Sequence, residues 1–220
     1  MEVVTTVLDS SFSADHWSRM MHALPQPLRH GAAKYRFDAD QQRHILGRLL
    51  LFRAFEARGF DWRDVHASIS YDRHRRPQLK DIPGDFNISH SGSMIICALT
   101  NQGSVGTDVE RIRDVKLSEF KRTMNHQQWQ TIFDADEPLR KFFQYWAIKE
   151  SIIKADGRGL QMRLADIFID RRQAQYEGQQ WSYQLLSLGD QYCSAVAGDI
   201  PPEGVKVSAV NPPELWNRWL

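Results

Sequence analysis

Residues 105–112 read VGTDVERI and residues 145–154 read YWAIKESIIK. The first stretch has the alternation of a strand, in which successive side chains point to opposite faces, so Asp108 and Glu110 share a face roughly 7 Å apart, within reach of one cation. The second has helical spacing. Residues four apart stack on one side of a helix, which sets the Glu150 carboxylate beside the Lys154 ammonium. Three hard oxygen donors next to a cation suit Mg²⁺, which dehydrates reluctantly and keeps room for water and substrate phosphate. The chemistry implied is phosphoryl or phosphodiester transfer. Taken singly, each part has an ordinary reading: a solvated strand edge for the acidic pair, and for the helical pair a surface contact of about 0.3–0.5 kcal/mol. Their occurrence together points to a site.

Working outward, the helix that carries Glu150 runs from about Pro138 to Asp156, where Gly157 and Gly159 stop it. A polar helical segment near residues 117–133 precedes it, and β-type runs DIFID, WSYQLL, YCSAVAG and VKVSAV follow. The first half has the same order. DADQQRHILGRLLLFRAFEARG, residues 38–59, opens with a capping-box pattern of Asp38 and Gln41 and repeats Ile45, Leu49, Phe52 and Phe55 at helical spacing. Strand-like HASISY, FNIS and MIICALT come next, separated by turn signals such as Pro83-Gly84 and Ser91-Gly92. Helix and strands thus recur with an offset near one hundred residues. The fold class expected is α+β, with two similar lobes over residues 1–104 and 105–220 and the site in the cleft between them.

With 220 residues, 42% hydrophobic, the chain can bury a substantial core. A net charge of +1 supplies no global field for nucleic acid or membrane, so attraction to a partner must be local. Cys97 and Cys193 lie in apolar stretches without metal-type spacing, which fits core residues in a reducing compartment. The start MEVVTTVLDSSF lacks the basic-then-apolar order of a signal peptide, and no run is long enough to span a bilayer. A cytoplasmic location is expected.

Three basic groups accompany the acidic ones. FNISHSG puts Ser89, His90 and Ser91 at a strand end before Gly92, where hydroxyls, an imidazole and turn amides suit an anion. RHRRPQ clusters Arg73, Arg75 and Arg76 before Pro77. Lys34, Arg36 and Arg43 surround the start of the first long helix, whose N-terminal end favours anions. Three separate basic groups suit a ligand with several phosphates, although each also reads as a solvated loop or a hydrogen-bonded structural residue. Phe142, Phe143 and Trp146 read as core; Phe120, Met124 and Trp129 either pack their segment or offer a docking patch. The C-terminal ELWNRWL reads as an anchor for the tail.

Four motifs occur in order: Arg75-Arg76-Pro77, Ser89-His90-Ser91, Gly106-Thr107-Asp108-Val109-Glu110, and the run from Trp146 to Lys154 with Lys149-Glu150 inside it. In these the chain resembles the 4′-phosphopantetheinyl transferases of the two-lobed, surfactin-synthetase-activating type, over roughly residues 30 to 170. The resemblance implies Mg²⁺-dependent transfer of the phosphopantetheine arm of coenzyme A to a serine of an apo acyl or peptidyl carrier protein, with release of adenosine 3′,5′-bisphosphate, by a monomer. It implies Asp108, Glu110 and Glu150 as metal ligands and Glu150 as base, directly or through a metal-bound water. Lys149 and Lys154 would contact the pyrophosphate, Ser89 and His90 would lie at the 3′-phosphate end, and Arg76 stands in place of a lysine. Two departures stand out: Gln128 replaces a glutamate, and lysines near the first helix fall opposite Leu28 and Gly31, leaving phosphate contacts to Lys34, Arg36 or Arg43. The rival readings are a metal-dependent phosphohydrolase or nuclease and a non-catalytic binder of coenzyme A or RNA.

Overall fold

The structure is a computed structural model that describes residues 1–8, 13–201 and 204–219. A first strand, β1 (Glu2–Val7), leads into α1 (Ala14–Ala23), α2 (Gln26–Ala32) and the long α3 (Asp38–Glu56). α4 (Trp62–Ser68), the hairpin β2 (Ile69–Tyr71) and β3 (Pro77–Leu79), and strands β4 (Asp85–Ser91) and β5 (Met94–Thr100) complete the first half. The second half has β6 (Val105–Arg111), α5 (His126–Phe133), α6 (Pro138–Asp156), β7 (Phe168–Asp170), β8 (Gln173–Tyr176), β9 (Gln179–Leu186) and β10 (Tyr192–Gly198). β11 (Lys206–Ala209) and α7 (Pro212–Trp216) end the chain.

Besides the two-stranded β2-β3 sheet, two larger sheets form among the described residues, ordered β11-β1-β5-β4 and β6-β10-β9-β8-β7. In each, the lobe's first strand pairs antiparallel with its last, which pairs antiparallel with the one before it: β1-β5-β4 matches β6-β10-β9. α3 packs on the first trio and α6 on the second. Both helices have 19 residues and begin one hundred positions apart. This is the α+β arrangement of two similar lobes. Its physical basis is that each sheet is apolar on both faces: a long helix covers one, and the other packs against its counterpart through Val3, Ile96 and Ala98 from the first sheet and Val105, Val109 and Val196 from the second. Ile45, Leu46, Leu49, Leu50 and Phe52 of α3 are buried against the first sheet, and Ala147, Ile148 and Ile152 of α6 against the second.

The expected helix at 138–156 has the bounds read from the sequence: Pro138 stands at its first position and Gly157, at φ 88°, closes it in the left-handed conformation only glycine adopts freely. The expected capping box at Asp38 does not form. Phe37 occupies the cap and makes no side-chain cap bond, while Gln41 donates to the Tyr35 carbonyl; Asp38 and Asp40 lie in the first turn instead, where they complement the helix dipole. The real capping box is at α5, where Asn125 accepts from the Gln128 N–H and the Gln128 side chain accepts from the Asn125 N–H. The segment near 117–133 is two pieces, a 3₁₀ turn at Leu117–Phe120 and α5. HASISY is helical through Ser68 and extended only from Ile69.

The chain crosses between sheets after residue 100, and its tail returns to the first sheet. β11 pairs parallel with β1 (Val3 opposite Val207), and α7 packs on α3. Trp216 is buried there and Trp219 meets Trp62 edge-on, so ELWNRWL anchors the tail; its last residue lies outside the described residues. Cys97 and Cys193 are buried free thiols. No helix among the described residues is long and apolar enough to cross a membrane.

Candidate active site

The two sheets meet where β4 runs beside β6, and side chains of β4 take the place of a backbone ladder. The Val105 N–H donates to Asp85 Oδ2 at 2.8 Å, the Thr107 N–H to Asn87 Oδ1 at 3.0 Å, and the Arg111 N–H to Ser91 Oγ at 3.1 Å. Period-two alternation makes this possible, since residues 85, 87, 89 and 91 share one face of β4. The other edge of β6 pairs with β10, and α6 lies across the face of these two strands, an approach that Gly106 permits. A Cβ there would stand 1.9 Å from the Ser151 carbonyl oxygen and 2.4 Å from the Ala155 nitrogen. The glycine two residues before Asp108 is therefore what lets the helix bearing Glu150 and Lys154 lie against the acidic strand.

Asp108 is 4% exposed. Its Oδ1 accepts from Lys154 Nζ at 2.6 Å and from Ser89 Oγ at 2.9 Å, while its Oδ2 is buried without a hydrogen-bond partner among the described residues. Ser91 Oγ donates to Glu110 Oε2 at 3.0 Å. Partial burial and, after it, the Asp108 charge hold the carboxyl groups of Glu110 and Glu150 above the usual glutamate range, so each carboxylate faces the same buried aspartate. An orphaned carboxylate oxygen on Asp108, with two further carboxylates that each feel the Asp108 charge, is a donor set that fits a divalent cation. Among the described residues, no three His, Cys, Asp or Glu side chains form a ready-made metal cage. Such a cage is also not what Mg²⁺ ordinarily uses.

The basic groups divide differently from the sequence expectation. All three Lys154 donors are engaged, on Asp108 Oδ1, on Ser89 Oγ at 2.9 Å and on the Thr107 carbonyl at 3.2 Å. Lys149, expected at a pyrophosphate, is fully buried. Its ammonium donates to the carbonyls of Thr123 and Leu164 and to Gln128 Oε1, which leaves no donor for a ligand, and this desolvation among neutral acceptors pushes its pKa down to about 7. Arg76, expected at a phosphate, instead ties the lobes together. It forks onto Asp85 and also donates to the carbonyls of Lys154 (2.8 Å) and Val105 (3.2 Å). Arg75 is exposed at φ 67°, at the tip of the β2–β3 hairpin whose turn Asp72 closes.

Near α3, Arg43 is committed to the Gly92 carbonyl and Asp40, and Arg36 lies over the Phe37 ring. Lys34 alone of that trio lines a cavity of about 380 Å³, together with His44, Arg48, His66 and Tyr71. Arg48 Nη1 and His66 Nδ1 are buried and unpartnered there among the described residues. Burial, reinforced by Arg48, His90 and Lys34, lowers the His44 pKa to about 4, and Gly31 leaves room for its ring. His90 is exposed near the same groups, its pKa lowered by desolvation, then by Arg43 and Lys154. His44, Arg48 and His66 were not singled out from sequence. The only signal for them was the i, i+4 pair of His44 and Arg48 on the polar side of α3.

Comparison with known proteins bears on this geometry. Two family profiles tile the chain: "4′-phosphopantetheinyl transferase, N-terminal" over residues 11–102 and "4′-phosphopantetheinyl transferase superfamily" over residues 104–197. The chain is 29% identical over 167 residues to the 4′-phosphopantetheinyl transferase Sfp of Bacillus subtilis (strain 168), an alignment covering 74% of each protein. To the 4′-phosphopantetheinyl transferase gsp of Aneurinibacillus migulanus it is 33% identical over 138 residues, 62% of this chain and 57% of that one. To the L-aminoadipate-semialdehyde dehydrogenase-phosphopantetheinyl transferase of Mus musculus it is 26% identical over 175 residues, 72% of this chain and 56% of the other. With both lobes matched in order and Gly106, Asp108, Glu110 and Glu150 brought to one seam, the chain belongs to the 4′-phosphopantetheinyl transferase superfamily, in its two-lobed, surfactin-synthetase-activating branch.

Proposed function

We propose that this protein transfers the 4′-phosphopantetheine arm of coenzyme A to a serine of an apo acyl or peptidyl carrier protein, in a Mg²⁺-dependent reaction that releases adenosine 3′,5′-bisphosphate. The observation that carries this reading is the buried, half-satisfied carboxylate of Asp108, faced by Glu110 and Glu150 across a seam that Gly106 keeps tight. Asp108, through Oδ2, with Glu110 and Glu150 would hold the ion. When bound, Mg²⁺ would supply charge neutralisation for the diphosphate as its phosphoanhydride bond breaks, the serine oxygen joining the arm's phosphorus and adenosine 3′,5′-bisphosphate leaving. Glu150 takes the proton of the carrier serine hydroxyl, directly or through a metal-bound water. Lys154 keeps positive charge beside Asp108 on the face where the pyrophosphate would lie.

In this reading the first lobe, residues 1–104, holds the 3′-phosphate end and the second, residues 105–220, carries the metal ligands and the base. The cavity at Lys34, His44, Arg48 and His66 is where a phosphomonoester fits best. A buried guanidinium donor, Arg48 Nη1, and a buried imidazole nitrogen, His66 Nδ1, lack partners there among the described residues, and a dianion would return the proton that His44 gives up among cations. Exposed His90 and Arg75 stand as further contacts on that side. Carrier proteins in this family resemblance are acidic, and the second lobe offers Arg111, Arg113, Lys121 and Arg122 beside half-buried Leu117 and Phe120 to receive one.

The test is incubation with coenzyme A, Mg²⁺ and an apo carrier protein, followed by intact-mass measurement of the carrier. The expected result is a carrier heavier by one phosphopantetheine arm, lost on chelation of the metal. Cleavage of coenzyme A with no modification of the carrier would make the protein a phosphohydrolase instead.

A further inference from the structure

Ser89 breaks the pattern of its own strand. Asp85, Asn87 and Ser91 each accept from a β6 backbone N–H twenty residues further along the chain, at positions 105, 107 and 111. In that register Ser89 would meet the N–H of Val109. Its hydroxyl turns to the carboxylate of Asp108 instead, at 2.9 Å from Oδ1. Proton counting fixes the direction of each bond. A hydroxyl has one hydrogen; Lys154 Nζ already donates to Ser89 Oγ, so the hydroxyl proton goes to Asp108.

We propose that Ser89 is a positioning residue for the acidic centre: with Lys154 it grips Asp108 by Oδ1 and thereby presents the other oxygen, Oδ2, to a divalent cation. This assigns Ser89 a role through Asp108, where the family resemblance implied a contact with the 3′-phosphate end of the substrate. An aspartate carboxylate turns over a broad, two-fold torsion, so its two oxygens are equivalent until something holds one of them. Lysine alone is a weak hold, because its flexible stem and three rotatable donors allow many geometries, and here it also serves the Thr107 carbonyl. Ser89 supplies the rigid part. It is 6% exposed, on a strand whose neighbouring side chains are fastened to β6 on both sides. Leaving Oδ2 buried and unpartnered is costly in the free protein, as expected of a group kept ready for a ligand.

The proposal rests on Asp108 being a ligand of the divalent ion in the reaction proposed above, and the experiment separates the two. Mn²⁺ binding to the full chain, in the presence of saturating coenzyme A, is followed by the electron paramagnetic resonance signal of free Mn²⁺, for the wild type and for Ser89→Ala. Coenzyme A affinity is measured separately in EDTA, and Tm for both proteins. Loss of an outer-shell partner weakens metal affinity about 10- to 100-fold. The expected result is a loss of that size in Ser89→Ala, with coenzyme A affinity in EDTA and Tm unchanged. Mn²⁺ affinity equal to wild type overturns the positioning role. A fall in coenzyme A affinity in EDTA as large as the fall in Mn²⁺ affinity overturns it too, by making Ser89 a direct substrate contact. A wild type that binds no Mn²⁺ removes the metal-dependent reaction itself, and Ser89's role with it.

Discussion

Replacing Gly106 by alanine asks whether the close approach of α6 to β6 is what builds the site. The added Cβ would lie 1.9 Å from the Ser151 carbonyl oxygen, 2.4 Å from the Ala155 nitrogen and 3.0 Å from the Lys154 carbonyl carbon. All three are backbone atoms of one helix, so no side-chain rotamer can relieve the clash. The first contact is roughly 1.5 Å short of ordinary van der Waals separation, and the helix must move by most of that distance or the strand must bend. Overpacking of this kind costs typically about 1–3 kcal/mol and more where backbone must shift; taking about 3 kcal/mol here, at about 2–4 °C per kcal/mol for a chain of this size, Tm should fall by roughly 6–12 °C. The movement also carries Glu150 and Lys154 away from Asp108, and about 1 Å of misplacement in a catalytic constellation can cost about 100-fold in rate. Differential scanning calorimetry and carrier-modification kinetics read the two effects. A Gly106→Ala protein with wild-type Tm and wild-type transfer would refute the claim that this glycine sets the seam.

Arg76→Ala removes one half of a buried ion pair and strands Asp85, whose side chain is 11% exposed; a loss of about 3–5 kcal/mol is expected in denaturant unfolding, and a loss under 1 kcal/mol would contradict the inter-lobe tie. Glu150→Gln should reduce transfer by about 10²- to 10⁴-fold. The native Glu150 pKa lies above its unfolded value, so the native state pays for the charged form at pH 7, and the variant should melt higher than wild type there. That gain should vanish as pH falls below the ordinary glutamate value, and a variant that is less stable than wild type at pH 7 would be the contrary result. For Lys149 the sign is opposite in origin: the native state gives up its proton near pH 7, the unfolded chain only near about 10.4, so between these the unfolded state binds more protons and stability rises with pH. Gln128→Glu gives Lys149 a counter-charge at the 2.6 Å contact and should flatten that rise between pH 7 and 9.5 while leaving transfer intact; an unchanged slope would show that Lys149 is not its source. Arg48→Met should weaken coenzyme A at least tenfold and 3′-dephospho-coenzyme A hardly at all, and equal losses for both would take the phosphomonoester out of the α3 cavity.

What could be read from the sequence was what local physics decides. α6 has a proline at its first position and a glycine at its end, and both bounds follow from backbone chemistry that tertiary contacts rarely override. The acidic pair on β6 follows from alternation alone. The Asp38 box failed because the same residue types serve as well in the first turn as at the cap, and Phe37 already held the extended conformation a cap needs. Lys149 and Arg76 were misplaced for a different reason. A cation on a helix face or beside a turn can satisfy carbonyls or a ligand, and only the fold decides which it meets; here carbonyls from 123, 164, 154 and 105 converge on the two side chains from four separate segments. The basic cavity was equally hidden, since His44 and Arg48 come from α3, His66 from α4 and Tyr71 from β2. The return of the tail to β1 depends on a pairing across some two hundred residues, which no local pattern encodes.

The most direct measurement of the central claim is an anomalous-difference map from crystals of the protein grown with coenzyme A and Mn²⁺. The account predicts one strong peak at the β4–β6 seam, about 2.1 Å from Asp108 Oδ2, with Glu110 and Glu150 at or within one water of the ion and the diphosphate on its open side. A peak elsewhere, or coenzyme A bound with no metal beside residues 108, 110 and 150, would contradict it.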